Sequence, residues 1–251
     1  MNSKELEPKS ASIIIPTLNE ADCLARSLRC LSILNPPATE IIVVDGGSSD
    51  KTIAIAQKYN TIILTAPHAQ RALQMNLGAQ QASGDILCFL HGDTLVPDDA
   101  IALITKTLNN PNIACGGFIS IMQGETTTRW STSLHNSLKT YYAPLIFRPR
   151  KFFQQGLRIL FGDQVMFCRR QDFLNCGGFD TMLDIMEEAD LCIKLSKYGR
   201  IQQLNRIVQS SDRRVARWGA WKANFIYLMI GTLWGVGVPA KTLKRFYEDI
   251  R

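Results

Sequence analysis

Three short polar stretches hold most of the chain's chemical capacity: Pro16-Thr17-Leu18-Asn19-Glu20, Asp45-Gly46-Gly47-Ser48-Ser49-Asp50 and His91-Gly92-Asp93-Thr94. Together they supply carboxylates, an amide, hydroxyls and an imidazole, the groups a polyhydroxylated, phosphorylated ligand requires. His91 and Asp93 stand two apart. On a continuing strand they share one face and hold one divalent cation, Mn²⁺ or Mg²⁺, with positions left open for diphosphate oxygens. The same Asp-Thr pair also reads as a turn or helix cap. A fourth polar point is Glu187-Glu188. Glu188 shares a helix face with Leu191, Cys192 and Leu195, so it points inward, as a general base or as favourable charge at a helix N-terminus. Glu187, rotated off that face, reads as a cap.

The elements that must position these residues are legible as alternating periods. Four apolar runs, Ile13-Ile-Ile15, Ile41-Ile-Val-Val44, Ile62-Ile-Leu64 and Ile86-Leu-Cys-Phe-Leu90, have the length and bulk of strands buried on both faces. Helical patterns over residues 19–34, 50–59 and 69–82 fill the gaps, the second after an N-cap-like Ser48-Ser49-Asp50. Buried strand alternating with amphipathic helix predicts an α/β fold with a doubly wound, mostly parallel sheet and right-handed crossovers. In such sheets ligands bind beyond the carboxyl ends of the strands, where the three polar stretches fall. The second half is less regular, with strands predicted around 114–122 and 164–168 and a helix over 186–198 that ends before Gly199.

With 46% hydrophobic and 20% charged residues among 251, the chain can bury a core, which excludes a disordered or filamentous protein. Lys and Arg number 28 against 22 Asp and Glu, a net charge of +6 that suits anionic small molecules or lipid head groups better than nucleic acid. Seven cysteines with no C-x-x-C pair read as buried thiols, and the polar start carries no export signal, so a cytoplasmic protein is expected. Residues 139–170 contain seven basic side chains and one acidic, Asp163. This segment reads as a solvated loop or as a basic surface that sits against an anionic bilayer. Residues 225–238 form an apolar run shorter than the roughly 20 residues that span a bilayer. Its basic flanks fit a helix lying at the inner face of a membrane, and a core helix fits equally.

Seven motifs stand in the order found in family 2 glycosyltransferases of the GT-A type, which the chain resembles over almost its whole length. They are Ser12-Ile-Ile-Ile-Pro-Thr-Leu-Asn-Glu20, Ile42-Val-Val-Asp-Gly-Gly-Ser-Ser-Asp-Lys-Thr52, Gln70-Arg-Ala-Leu-Gln-Met-Asn76, Phe89-Leu-His-Gly-Asp-Thr94, Gly162-Asp-Gln164, Cys176-Gly-Gly-Phe179 and Met186-Glu-Glu188. The set is most like the bacterial radical-SAM/selenodomain-associated subgroup. The resemblance implies a GT-A-like single domain that moves a sugar from a nucleotide-diphosphate-sugar to an acceptor hydroxyl with inversion, assisted by a divalent metal. Residues 1–110 would bind the nucleotide-sugar, 111–212 would face the acceptor, and 213–251 would form a C-terminal helical segment. By the same analogy Pro16, Thr17, Asn19, Glu20, Asp45 and Gly47 hold the nucleoside, with Asp45 on the base, and Arg71 approaches the diphosphate. Asp93, with His91 in place of the motif's first acid, takes the metal. Glu188 stands for the catalytic acid and is one methylene longer than the usual Asp. Gly162, Asp163, Gln164 and Glu187 border an acceptor that the sequence leaves unnamed, a lipid-linked one being compatible with the apolar C-terminal run.

Two enzyme rivals fail on residues. An aspartyl-phosphate phosphatase needs an acid where Gly47 stands, and a sugar-nucleotide pyrophosphorylase needs a glycine-rich basic loop where Thr17-Leu-Asn-Glu20 stands. The alternative from another class is a sugar-nucleotide or membrane-surface binding protein that keeps the fold without catalysis.

Overall fold

The computed structural model describes residues 10–124 and 126–247. The polar start, residues 1–9, and residues 248–251 of the expected C-terminal segment lie outside them. The first half alternates as expected: β1 (Ala11–Thr17), α1 (Ala21–Ser32), β2 (Glu40–Asp45), α2 (Thr52–Ala56), β3 (Ile62–Thr65), α3 (Arg71–Gln81), β4 (Ile86–Phe89) and α4 (Ala100–Leu108). The second half adds β5 (Ile113–Gln123), α5 (Trp130–Phe147), α6 (Pro149–Gln154), β6 (Met166–Arg169), α7 (Arg170–Asn175) and α8 (Glu187–Leu195). It closes with β7 (Arg200–Ser211), α9 (Arg213–Trp218), α10 (Ala220–Gly235) and α11 (Ala240–Leu243).

One seven-stranded sheet in the order β3-β2-β1-β4-β6-β5-β7 runs through the molecule. Alternate residues along each strand enter opposite layers. Ile14, Ile42 and Val44 pack with Ala72 and Met75 of α3 and with Leu191 and Cys192 of α8. Ile13, Ile15 and Val43 pack on the other side with Leu24 and Leu28 of α1 and Ile104 of α4. β1, β2, β3 and β4 are parallel, β6 is antiparallel to both of its neighbours, and β7 is parallel to β5. The carboxyl ends of β1, β2, β4, β5 and β7 therefore share one edge. Because β6 runs the other way, the 3₁₀ turn Gly162–Gln164 that precedes it is delivered to that same edge.

Two readings of the second half change. Residues 139–170 are not a solvated loop: they form the end of α5, all of α6, a stretch in which Leu157 and Leu160 are fully buried, and the turn into β6. The local count of charges hid this, because Lys139 is buried and five of the other six basic side chains are half-buried, only Arg150 being exposed. The run 225–238 covers the end of α10 and the turn after it, and packs on the protein along one side only. Ala223 and Ile230 are buried, whereas Trp221, Phe225 and Leu228 are exposed. No helix among the described residues is long and apolar enough to cross a membrane. All seven cysteines are free thiols. Cys23, Cys30 and Cys176 are only half-buried.

Candidate functional site

A cavity of about 280 Å³ opens at the shared strand edge. Its floor is made by Pro16, Thr17 and Glu20 after β1 and by His91, Gly92 and Asp93 after β4. Arg71 of α3, Gly162 and Asp163 of the turn, and Glu187 and Glu188 of α8 form one wall. Asn136 and Lys139 of α5, Arg213 and Arg214 of α9, Tyr227 of α10 and Tyr247 complete it.

The first two strand-end loops are tied to each other. Asp45 is fully buried, and its carboxylate accepts from the backbone N–H of Gly47 at 2.9 Å and of Ser48 at 2.8 Å and from the Ser48 and Thr17 hydroxyls. Asn19, held at a φ of 53°, donates its backbone N–H to Ser48 and accepts that of Ser49. Asp50 accepts from the N–H groups of Thr52 and Ala21, at the starts of α2 and α1. Asn19, Asp45 and Gly47 thus build the loop pair beside the cavity, while Pro16, Thr17 and Glu20 line it.

His91 and Asp93 do not share a strand face. β4 ends at Phe89, and the chain turns, with Thr94 N–H on the His91 carbonyl at 3.1 Å. The His91 ring lies against Arg71, whose Nη2 donates to its Nε2, so the ring proton resides on Nδ1. Burial and the nearby Arg71, Arg214 and Arg213 guanidinia hold this imidazole neutral, well below its ordinary range. Asp93 turns instead to Arg213, at 3.1 Å, and the same guanidinium lies 2.8 Å from Glu20. Two carboxylates converging on one cation form a hard-oxygen pair of the kind that suits Mn²⁺ or Mg²⁺, with the remaining coordination left to phosphate oxygens.

Arg71 is the hub. It forms an ion pair with Glu188 and lies 3.7 Å from Glu187. Burial lowers its pKa, but the two glutamates outweigh this and raise it. Met186, at a φ of 68°, starts α8 and aims both glutamates inward. Glu187 is therefore not a cap. It is buried against Arg71, and burial, reinforced by Glu188, pushes its pKa up to about 7. Gly162 sits where these groups meet. A Cβ there would stand against Arg71 Nη2, His91 Nε2 and Glu188 Oε1 at once.

On the far wall Asn136 donates to Asp163. Lys139 is buried with its ammonium 3.7 Å from the Phe161 ring centre, and burial pushes its pKa down to about 8, Asp163 opposing. Burial raises Asp163 in turn, Lys139 opposing. Gln164 turns away from the cavity and spans Thr140 and the Phe161 N–H. Sequence reasoning missed Arg213, Arg214, Asn136, Lys139, Tyr227 and Tyr247. The arginine pair follows β7 directly, so the strand-end rule would have found it had the polar β7 been legible. The Nε–H groups of Arg71 and Arg214 are buried with no hydrogen-bond partner among the described residues.

A family model described as Glycosyl transferase family 2 matches residues 12–178. A pre-mycofactocin glycosyltransferase of Mycobacterium tuberculosis is 24% identical over 226 residues, covering 86% of this chain and 46% of the relative. The chain spans about half the length of the curated relatives it matches. Among solved structures, a mannosyltransferase from Pyrobaculum calidifontis in complex with GDP-Man and Mn²⁺ superposes with a TM-score of 0.69 at 17% identity, over 95% of this chain and 68% of that one. Glucosyl-3-phosphoglycerate synthase from M. tuberculosis, with Mn²⁺, UDP and phosphoglyceric acid, gives 0.58 at 18% identity over 92% and 80%. The sheet and its flanking helices are those of the GT-A type.

Proposed function

The chain belongs to glycosyl transferase family 2, and from that premise we propose that it moves a sugar from a nucleotide-diphosphate-sugar to an acceptor hydroxyl, with inversion at the anomeric carbon. One observation carries the reading. The Arg214 Nε–H is buried without a hydrogen-bond acceptor among the described residues, and that of Arg71 has only the Glu187 carboxylate, 3.7 Å away, at a cavity that also presents Arg213. Buried donors without partners are costly, and a diphosphate satisfies them. The solved neighbours bound to GDP-Man and UDP support the same ligand class.

In this reading residues 1–110 bind the donor and 111–212 face the acceptor. Asp93, with Glu20, holds the divalent metal. When bound, the metal neutralises charge on the departing diphosphate. Arg71 and Arg214 hold that diphosphate. Glu188 takes the acceptor's hydroxyl proton as the oxygen bonds to the anomeric carbon. The bond from that carbon to the phosphate oxygen breaks, and its electron pair leaves with the nucleotide. Asp163 and Lys139 line the acceptor side. The His91-Gly-Asp-Thr94 stretch supports placement with the radical-SAM/selenodomain-associated transferases. A second reading, donor binding without transfer, draws on the Arg71–Glu188 ion pair, which would occupy the base.

Thermal shift with UDP-, GDP- and dTDP-sugars, with and without Mn²⁺, tests donor binding through mass action. A metal-dependent rise with one donor series is expected. No rise with any of them sinks the proposal, and a rise without sugar release or transfer favours the second reading.

A further inference from the structure

The helices that close the cavity from above have an outer face of unusual character. α5, α6 and α10, of 18, 6 and 16 residues, contain no acidic side chain. Along α5, Trp130, Leu134, Leu138, Tyr141, Leu145 and Ile146 are exposed at helical spacing, Leu134 at 61%. Along α10, Trp221 is 91% exposed and Phe225 66%, with Leu228 beside them.

These two stripes form one surface. His135 meets Asn224, Lys139 lies over the Tyr227 ring, and Phe147 packs on Gly235, so equal steps along α5 match equal steps along α10 and the helices run parallel. Each residue advances the helix by about 100°. Leu134, Leu138 and Ile146 come one residue before the contact line of α5; Phe225 and Leu228 come one residue after that of α10. In two parallel helices those offsets rotate to the same side. The opposite offsets hold the buried Asn136 and Thr140 of α5 and Ala223 and Ile230 of α10, which face the body of the protein. The apolar side therefore faces outward as a contiguous stripe and not as scattered single residues.

We propose that this outer face docks on an anionic lipid bilayer. Charge selects that occupant. Lys222 and Arg150 are exposed, and Arg158 caps the Tyr141 ring at 5.4 Å, so the apolar stripe is rimmed by positive charge with no acid among its helices. A second copy would bring the same basic rim against itself. Exposed Trp and Tyr beside Leu and Phe on a helix pair without a spanning segment suit the headgroup boundary. The inner side of the same helices carries Asn136, Lys139 and Tyr227 into the cavity. Docking thus sets the cavity one helix diameter from the headgroups, and the corollary, an acceptor presented at a bilayer surface, rests on the transferase reading above.

Flotation of the whole chain with phosphatidylcholine vesicles, with and without phosphatidylglycerol, at low and high salt tests the docking. Binding is expected only with phosphatidylglycerol and is expected to weaken about tenfold as salt screens the rim. L138S/F225S, both exposed positions, should lose binding while keeping the melting temperature and the nucleotide-sugar thermal shift. Blue-shifted Trp fluorescence should accompany binding in the parent and vanish in W130A/W221A. No flotation with anionic vesicles overturns the proposal, as does equal flotation of L138S/F225S. A mass doubling in light scattering that L138S/F225S abolishes also overturns it, assigning the face to a second copy. Flotation without any nucleotide-sugar response would leave docking standing and remove only the transferase reading.

Discussion

Arg213 reaches the Asp93 carboxylate at 3.1 Å, so a protein cation occupies the anion that the proposed metal needs. Glu20 shares the same guanidinium at 2.8 Å. Metal binding and the Arg213 pair are therefore competitors for two carboxylates. In Arg213→Ala, Mn²⁺ measured by calorimetry without nucleotide should bind about tenfold more tightly, the equivalent of about 1.4 kcal/mol of lost competition. Asp93→Ala should lose the Mn²⁺-dependent part of donor binding. Unchanged Mn²⁺ affinity in Arg213→Ala would show that the metal sits elsewhere.

Glu188 and Glu187 are adjacent, both buried and both near Arg71, yet only Glu188 forms the close pair. Glu188→Gln should lower turnover by about 10² or more while leaving donor affinity intact. Glu187→Gln should retain most of the rate. If steady-state assays found the two variants equally slow, the base would belong to the pair and not to Glu188.

At Gly162 one added methyl group should disorganise three functional side chains without touching the core. Gly162→Ala has no positive-φ strain to overcome, so thermal denaturation should shift little. Turnover should fall by about 10², because Arg71, His91 and Glu188 cannot all keep their places. Wild-type kcat in this variant would mean that their convergence is not used in the reaction.

Lys139 titrates near pH 8 in the folded protein, against about 10.4 for a free lysine. The folded state thus binds fewer protons than the unfolded state between those values, and stability from this group rises with pH across that window. Below pH 8 the full cost of burying the charge is present. Asp163, His135, Phe161 and Tyr227 are the groups that face it. Lys139→Met should therefore denature at higher urea than the parent at pH 7, with the gap closing between pH 8 and pH 10.4. A gap independent of pH would assign the effect to packing alone.

The first half of the fold was legible because β1, β2 and β4 are largely buried and read as unbroken apolar runs; Ile62-Ile-Leu64 reads the same way although β3 is an edge strand with Ile62 exposed, not one buried on both faces. β7 was not. It is an edge strand in which only Ile201, Val208 and Ser210 are buried, and Arg200, Gln202 and Arg206 face solvent, so neither composition nor period marks it. With β7 unseen, Arg213 and Arg214 had no strand end to follow. α5 was hidden differently: its buried face carries Thr132, Ser133, Asn136, Lys139 and Thr140 while Trp130, Leu134 and Leu138 are exposed, the reverse of the pattern that identifies a surface helix. Glu188 was found from its helix face, but the same argument misplaced Glu187, because the left-handed Met186 tilts the first turn so that both acids enter the cavity.

The pairing of β7 along β5, which begins with Arg200 beside Ile113, also orders the molecule in time. β2 and β3 each pair with the strand made just before, and β4 returns to β1, so the four can assemble while the chain is still being synthesised. Glu20, Asp45 and Asp93 belong to that early part. Arg213 and Arg214 emerge only after β7, and the β5–β7 ladder closes the longest loop in the sheet. Pulse-labelled hydrogen exchange should accordingly see β5–β7 amides protected last. Until that ladder forms, Glu20 and Asp93 lack the Arg213 guanidinium that pairs with both, so the acidic half of the site is made before its cationic half.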